Sequence, residues 1–352
     1  MPSDQSRPSE NGVARSDDTG LAIDARDVHV TYADGTEAVR GVSLQVERGA
    51  FFGFLGPNGA GKTTTIRTLV TLLHPTRGTV RINGYETATA PQAVRQSIGY
   101  MAQETSIDRE LTPRENLQLA CDLYGVPERE RTDRIDALLE LVDLEAVADS
   151  RAGTFSGGMQ KRLDAATVLV HRPPVVFLDE PTTGLDPEAR LRLWDYFERI
   201  NDRGTTVFLT TQYLAEADRL CDRLSLLQDG RIVATGTPAE LKSEVGGDVV
   251  EISLADPSEQ RTRAAVQAIR RVDALADATV EPTSQGVSVR TPNPREVTSD
   301  LVVALGDAGF SVTTFDVRSP TLDDAFLALT DDDPETDDGT AGAAPQASGV
   351  VK

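Results

Sequence analysis

A glycine-rich segment, Phe51–Arg67, sets the strongest limit on how this chain can fold. It spells FFGFLGPNGAGKTTTIR, an apolar run followed by closely spaced glycines, a lysine, threonines and a helix-like stretch. This order predicts a strand, a loop and a helix. The four residues between Gly56 and the triplet Gly61-Lys62-Thr63 give the spacing of a phosphate-binding P-loop. The chain is therefore expected to contain an α/β nucleotide-binding domain.

The residue types of this loop suit a chain of phosphates. Glycine allows several backbone N–H groups to converge on one anion and lacks the Cβ that would block their approach. Lys62 is expected to contact the β- and γ-phosphates, and Thr63 to offer its hydroxyl to Mg²⁺, at the positive end of the following helix. The predicted nucleotide-binding residues of the segment are Gly56, Pro57, Asn58, Gly59, Ala60, Gly61, Lys62, Thr63 and Thr64.

The composition excludes several classes of protein. The 352 residues carry a formal net charge of −21, which argues against nucleic-acid or anionic-lipid binding as the main activity. Only four of the 35 basic residues are lysines, and this arginine- and aspartate-rich surface resembles that of halophilic proteins, whose carboxylates are screened by molar salt. No apolar run reaches the roughly 20 residues that span a bilayer. Cys121 and Cys221 are too few for a disulfide framework.

Changes in composition along the chain predict its domains. Residues 1–20 are polar and are expected to be a disordered tail, and residues 331–352 an acidic disordered tail. Residues 21–243 are expected to form the nucleotide-binding domain, with a helical subdomain at about 105–160, and residues 248–330 a C-terminal α+β domain.

Polar residues follow the predicted buried strands of the nucleotide-binding domain. The strand PVVFLD ends at Asp179, which in a P-loop protein holds the Mg²⁺ coordination shell, and Glu180 is then placed to polarise the attacking water. Gln103 follows the strand Ser97–Met101, at the carboxyl edge where ligands bind in α/β sheets, and Gln212 follows the strand TVFLTT.

Two further features are ambiguous when taken alone. Ser156 is a good helix N-cap, but Gly157 and Gly158 in the first turn each cost about 1 kcal/mol relative to alanine. Close approach of the backbone to an anion is our expected reason for them. Tyr32, between two predicted antiparallel strands, is either a half-buried strand residue or a platform for adenine stacking, and the P-loop favours stacking.

Together these segments resemble an ATP-binding cassette (ABC) ATPase across residues 21–242. The family's parts occur in order, as an aromatic platform (Tyr32), Walker A (GPNGAGKTT, 56–64), the Q-loop (Gln103), the signature (FSGGMQ, 155–160), Walker B (VVFLDE, 175–180) and the D-loop (GLD, 184–186). The resemblance implies a RecA-like parallel core with antiparallel β and helical subdomains. It also implies ATP and Mg²⁺ as cofactors, with Thr63, Gln103 and Asp179 at the metal.

This sequence departs from the family pattern at two places. The usual signature LSGGQ is FSGGM here, so Met159 occupies the glutamine position and Gln160 follows it. The switch histidine is replaced by Gln212, whose neutral amide can donate to the γ-phosphate but cannot act as an acid or base. Glu180 is therefore the residue expected to activate water, with Lys62 and Gln212 assisting.

The segments TTQYLAEAD (210–218) and SPTLDDAFLALT (319–330) resemble the daunorubicin/doxorubicin-resistance branch of ABC exporter ATPases. In this family the signature completes the nucleotide site of the opposing subunit. The signature here consists of Ser156, Gly157, Gly158, Met159 and Gln160. The resemblance therefore implies a dimer of two identical or two different ATP-binding chains that sandwiches ATP, with Asp186 in its D-loop. It also implies that this dimer drives a separate integral-membrane permease from the cytoplasmic face of the membrane. Hydrophobic drugs are the expected cargo, although exporters of polysaccharides, lipids and ions carry similar sequence segments. The alternative is a soluble ABC ATPase of translation, repair or iron–sulfur assembly, whose paired cassettes, coiled coils or zinc motifs are missing.

The predicted order of elements over 248–330 is β-α-β-β-α-β, which matches a ferredoxin-like unit. A regulatory or dimer-contact role is expected for it, and a small-ligand sensor is the alternative. Asp323 and Asp324 are expected to cap and solvate the last helix rather than to bind metal.

Overall fold

The computed structural model describes residues 20–244, 247–272, 275, 278–291 and 294–331. The two predicted tails, residues 1–20 and 331–352, lie outside these ranges except for Gly20 and Asp331. The strands are β1 (Leu21–Thr31), β2 (Glu37–Glu47), β3 (Phe51–Leu55), β4 (Arg77–Ile82), β5 (Tyr85–Glu86), β6 (Ile98–Met101), β7 (Val175–Asp179), β8 (Thr206–Thr211), β9 (Arg223–Gln228), β10 (Arg231–Gly236), β11 (Asp248–Leu254), β12 (Thr279–Pro282), β13 (Gly286–Thr291) and β14 (Val312–Arg318). The α-helices are α1 (Lys62–Leu69), α2 (Pro91–Gln96), α3 (Pro113–Leu123), α4 (Glu128–Leu141), α5 (Gly157–Thr167), α6 (Pro187–Asn201), α7 (Leu214–Leu220), α8 (Pro238–Glu244), α9 (Glu259–Ile269), α10 (Pro294–Asp307) and α11 (Leu322–Asp331).

A six-stranded sheet with the order β10-β9-β3-β8-β7-β6 forms the centre of the nucleotide-binding domain. Strands β9, β3, β8, β7 and β6 are parallel, and β10 pairs antiparallel with β9. Every residue of β3, β7 and β8 is buried, as expected for parallel strands covered on both faces. The prediction of a parallel core is confirmed. The loops that follow β3, β6, β7 and β8 therefore begin at the same edge of the sheet.

A second sheet, with the order β2-β1-β4-β5, is antiparallel. Its strands alternate between buried and exposed residues, and the buried ones share a core with Phe52 and Phe54 of β3 and Ile66 of α1. A turn at Asn83 and Gly84 connects β4 to β5. This sheet is the predicted antiparallel β subdomain.

Helices α3, α4 and α5 form the predicted helical subdomain. Helix α3 begins with a capping box, in which the Glu115 N–H donates to Thr112 Oγ1 (3.2 Å) and the Thr112 N–H donates to Glu115 Oε2 (2.8 Å). Leu117, Leu138 and Leu163 are fully buried and join one core with the central sheet. The apolar stripes of these helices are therefore part of the core.

Residues of the C-terminal domain form a separate antiparallel sheet with the order β12-β13-β11-β14. Helices α9 and α10 pack on it, and Ile252, Val289 and Leu301 are among the buried residues of its own core. The β-α-β-β-α-β order and this strand arrangement confirm the ferredoxin-like prediction.

Helix α11 leaves the C-terminal domain and packs on α7, α8 and β10 of the nucleotide-binding domain. Leu322 is 2% exposed within the core of the nucleotide-binding domain, and Phe326 and Leu329 pack against the same core. Asp324 accepts hydrogen bonds from the Thr321 N–H (2.8 Å) and from Arg318 Nη1 (2.5 Å), so it caps the helix as predicted. No group of three or more His, Cys, Asp or Glu side chains in the described ranges is arranged to hold a metal ion.

Candidate nucleotide site

The P-loop connects β3 to α1 at the carboxyl edge of the central sheet. Two of its glycines are required by close packing rather than by the loop alone. A Cβ on Gly56 would lie 2.3 Å from the Leu227 carbonyl oxygen, and one on Gly61 would lie 2.4 Å from that of Ala38. Gly61 also has a φ of 105°, which L side chains rarely adopt, and it is the N-cap of α1. Helix α1 thus begins at Lys62, as the motif predicts.

Lys62 lies at the centre of the site. Its side chain is 4% exposed, and its Nζ donates to the carbonyl oxygens of Gly56 (2.7 Å) and Pro57 (3.1 Å). The same Nζ is 3.3 Å from Glu180 Oε1. The residues predicted to bind phosphate and to activate water are therefore in direct contact. Phosphate oxygens on the loop must compete with this carboxylate for the lysine.

The Walker B acids lie where β7 ends. Asp179 is buried, and its Oδ1 accepts a hydrogen bond from Thr210 Oγ1 of β8 at 2.6 Å. Burial raises the pKa of Asp179, the neighbouring Glu180 charge adds to the rise, and the Thr210 hydrogen bond opposes it. Glu180 has a φ of 47°, and its N–H donates to the Thr210 carbonyl (3.0 Å). This left-handed turn directs the chain away from β7 immediately after the acid pair.

Gln103 reaches the same carboxylate from the β6 side. Its Nε2 lies 3.3 Å from Glu180 Oε2, to which Thr183 Oγ1 also donates (3.4 Å). Gln103, Lys62 and Glu180 therefore form one cluster across the ends of three strands. Gln212 follows β8 at this edge and is half-buried. Asp179, Thr63 and Gln103 offer carboxylate, hydroxyl and amide oxygens, the hard donors that Mg²⁺ takes together with phosphate oxygens, so these residues fit the predicted metal site.

Tyr32 lies against the start of α1. Its hydroxyl is 2.9 Å from Thr64 Oγ1, and 40% of the residue is exposed. Thr64 itself is buried in the first turn of the helix. An exposed ring held beside the P-loop is the arrangement that the adenine-platform prediction requires.

The signature segment lies beside the D-loop. Ser156 caps α5, because its Oγ accepts the Met159 N–H at 3.3 Å. A Cβ on Gly158 would lie only 2.8 Å from Ala189 Cβ of α6, so packing between two helices requires this glycine. Our explanation by an anion alone was incomplete for Gly158. Within the described ranges no hydrogen bond joins Ser156 or its two glycines to the P-loop.

The two residues that depart from the usual signature face inwards. Met159 is half-buried and packs against the core of the nucleotide-binding domain. Gln160 Nε2 donates to the carbonyl oxygens of Ala152 (3.3 Å) and Phe155 (3.2 Å). Asp186 of the D-loop is the N-cap of α6, with its Oδ1 accepting the Ala189 N–H at 2.9 Å.

Sequence analysis missed two charged residues that join the signature helix to the Q-loop. Lys161 Nζ donates to the Gln103 carbonyl oxygen (2.5 Å), and Asp164 Oδ1 accepts from Ser106 Oγ (2.6 Å). Burial lowers the pKa of Lys161 and raises that of Asp164. Their spacing of three places them on one helix face. The sequence offered one signal for these residues. Lys161 and Asp164 lie on the face of α5 that also carries buried apolar residues.

The fold and this cluster define a P-loop ATPase of the ABC type. The family model for ABC transporters matches residues 39–183, and the model for the C-terminal domain of DrrA1-3-like ATP-binding proteins matches residues 236–330. The daunorubicin resistance ATP-binding protein DrrA3 of Streptomyces coeruleorubidus is 41% identical over 316 residues, which span 90% of this chain and 97% of that protein. The Nod factor export ATP-binding protein I of Burkholderia orbicola is 42% identical over 240 residues, or 68% of this chain and 79% of that protein.

Solved structures agree with this assignment. An ATP-binding subunit of an ABC transporter is 33% identical with a TM-score of 0.58, covering 63% of this chain and 92% of that one. A dimeric ATP-binding cassette in a post-hydrolysis state, bound to ADP and Pi, is 27% identical with a TM-score of 0.56, covering 61% of this chain and 98% of that one. The chain belongs to the ATP-binding subunits of ABC transporters and carries a DrrA-like C-terminal domain. It is an ATPase and the motor subunit of an ABC exporter.

Among the described residues, no helix is both long and apolar enough to cross a membrane.

Proposed function

We propose that this chain powers the export of drugs or other hydrophobic compounds by hydrolysing ATP at the cluster of Lys62, Gln103 and Glu180. The contact of Lys62 with Glu180, at 3.3 Å across the ends of β3 and β7, is the observation that carries the proposal. The identity with daunorubicin- and doxorubicin-resistance proteins over most of the chain supports the cargo class. The chain would act at the cytoplasmic face of the membrane on a separate permease.

The chemistry follows from the positions of these side chains. Lys62 would transfer from Glu180 and the loop carbonyls to the β- and γ-phosphates, which leaves the Glu180 carboxylate free to orient and polarise a water for in-line attack. Mg²⁺, held by Thr63 and Asp179 with Gln103 nearby, would neutralise charge on the phosphates. Gln212 would donate its amide to the γ-phosphate without taking a proton.

The signature would act on a second copy or a related chain. Ser156, Gly157 and Gly158 stand at the start of α5, where the helix N-terminus favours negative charge. Their separation from the P-loop of the same chain, with Leu185 and Ala189 as neighbours, supports a sandwich of two chains around two ATP molecules. Ser156 and the two glycines would then donate to the γ-phosphate bound by the opposing P-loop, with Met159, Gln160 and Asp186 supporting that surface.

The Glu180→Gln variant tests the catalytic assignment. Without the carboxylate, ATP turnover is expected to fall about 10²–10⁴-fold, the usual range for loss of a general base. ATP binding is expected to persist, because Lys62 and the loop backbone are unchanged, and the dimer should become more stable. The measurement is steady-state hydrolysis with ATP-dependent size-exclusion chromatography, both in molar KCl.

Glu188→Gln is the matched control. Glu188 is exposed on α6 and pairs with Arg192 at 2.6 Å, so its loss removes one carboxylate without touching the cluster. Turnover by Glu180→Gln at a rate near that of the wild type would refute the assignment of Glu180.

Co-purification tests the transport assignment. The tagged chain, extracted with detergent at high salt, is expected to bring down a polytopic membrane protein in stoichiometric amount, which mass spectrometry would identify as the permease. Ribosomal, DNA-repair or cluster-assembly proteins in its place would instead assign the chain to the soluble ABC ATPases.

A further inference from the structure

A fully buried carboxylate outside the nucleotide cluster connects the catalytic loops. Glu216 of α7 is 0% exposed, and its Oε1 accepts hydrogen bonds from Trp194 Nε1 (2.8 Å) and Thr182 Oγ1 (3.0 Å). Its Oε2 is buried and makes no hydrogen bond of standard geometry among the described residues. Burial raises the pKa of Glu216, and hydrogen bonding from Thr211, Trp194 and Thr182 opposes this rise. Burial of a carboxylate is costly. Packing alone would be served better by an apolar side chain.

The two donors and the acceptor belong to segments that lead directly from the site. Thr182 lies two residues after Glu180, in the loop that ends at Asp186, and it is itself fully buried. Glu216 lies four residues after Gln212, about one helical turn further along the chain. One carboxylate oxygen thus holds the Walker B–D-loop segment and the segment carrying Gln212 at a fixed separation.

A second contact joins the same two segments. The Arg190 guanidinium carbon lies 4.3 Å from the centre of the Tyr213 ring, within cation–π distance. Tyr213 is adjacent to Gln212. The backbone N–H of Arg190 donates to the backbone carbonyl oxygen of Asp186 (3.0 Å). These loops are therefore connected at two points.

We propose that Glu216 is a positioning residue for ATP hydrolysis, which keeps Gln212 in register with the loop from Glu180 to Asp186. Glu216 belongs to none of the nucleotide-binding segments and acts through Gln212. The proposal rests on the roles proposed above for Glu180 and Gln212. Because both donors meet the same oxygen, a displacement of either segment is transmitted to the other.

The first test is Glu216→Gln, which keeps an acceptor oxygen but removes its charge. Hydrogen bonds to a charged acceptor are stronger than those to a neutral one. Because the variant loses this extra strength, kcat is expected to fall about tenfold. KM for ATP should stay within about twofold, because no P-loop contact changes. Thr182→Val, which removes one donor and leaves the carboxylate, should have a smaller effect in the same direction. Glu259→Gln, an exposed α9 variant that breaks an ion pair with Arg263, is the control and should match the wild type.

A double-mutant cycle separates positioning from structural support. If Glu216 acts through Gln212, then adding Glu216→Gln to Gln212→Ala should cause little further loss of kcat. Independent, multiplying losses would overturn the proposal. So would a Glu216→Gln variant that melts at a lower temperature but keeps wild-type kcat per folded molecule.

The chain's single tryptophan provides a readout that does not depend on turnover. Trp194 donates its N–H to Glu216, so its fluorescence should respond to movement of this junction. ATP added to Glu180→Gln is expected to shift the emission, and the added Glu216→Gln change should abolish that shift. If ATP does not change the emission of the Glu180→Gln protein, the proposed role of Glu216 is overturned. Normal turnover by Glu180→Gln itself would refute only the role of Glu180, so the two failures are distinguishable.

Discussion

The C-terminal domain and the helix that follows it belong to different cores. Strands β11–β14 with α9 and α10 enclose their own apolar cluster, which contains Leu301. Helix α11, only a few residues further along, buries Leu322 in the cluster that also contains Leu178 of β7 and Leu241 of α8. Continuity in the chain therefore does not decide which core a helix stabilises. Helix α11 stabilises the ATPase domain.

The largest effect that tests this comparison is that of Leu322→Ala against Leu301→Ala. Each change deletes a fully buried leucine and is expected to cost about 2–5 kcal/mol. Leu322→Ala should lower the melting transition of the ATPase domain, which ADP identifies by raising it. Leu301→Ala should lower the transition of the C-terminal domain and leave the ADP-sensitive one unchanged. Calorimetry of the full chain in molar salt, with and without ADP, measures both.

The two variants serve as each other's control, since residue type and burial are matched. A Leu322→Ala protein in which only the ADP-insensitive transition falls would show that α11 stabilises the C-terminal domain instead.

A smaller effect is expected at the junction between the two cores. The Arg318 guanidinium holds the pKa of Asp324 below its usual range, with help from the Thr321 N–H and hydroxyl. A carboxylate whose pKa is lower in the folded state stabilises the fold above its unfolded pKa of about 4 and loses that contribution as the pH falls further. The Arg318 side chain is 35% exposed, so solvent screening limits the contribution to about 1 kcal/mol or less.

Asp324→Asn should therefore lower the ADP-sensitive transition at pH 7, and the difference from the wild type should shrink between about pH 4 and pH 2. Asp323→Asn, at the neighbouring position, is the control. A difference that is constant across this range would mean that the ion pair does not stabilise the attachment of α11.

Much of this architecture follows from patterns that are local in the sequence. The apolar runs of β3, β7 and β8 predict buried parallel strands, and parallel strands bring the residues that follow them to one edge. The sequence therefore predicts that Gln103 and Glu180, which are distant along the chain, lie at the same edge as the P-loop. The capping box of α3 is likewise local, because it needs only a threonine, Thr112, and a glutamate three residues later, Glu115.

Other features depend on contacts that no local pattern encodes. The period of Leu322, Phe326 and Leu329 predicts an apolar helix face but not the domain that this face meets. Glu216 resembles an ordinary solvated acid of a short helix, and only its burial beside Trp194 distinguishes it. Gly158 was explained by an anion, whereas the steric limit is set by a helix more than twenty residues away in the sequence.

The contact between α8 and α11 also has a topological consequence. The chain leaves the ATPase domain after α8 and returns to it as α11, so the ferredoxin-like unit has the geometry of a domain inserted into a host. Because α8 and α11 are short helices that pack on each other, a flexible linker of glycine and serine residues can connect them. The ferredoxin-like unit could therefore be excised, or exchanged for that of a relative, while the chain of the ATPase domain stays continuous from α8 to α11.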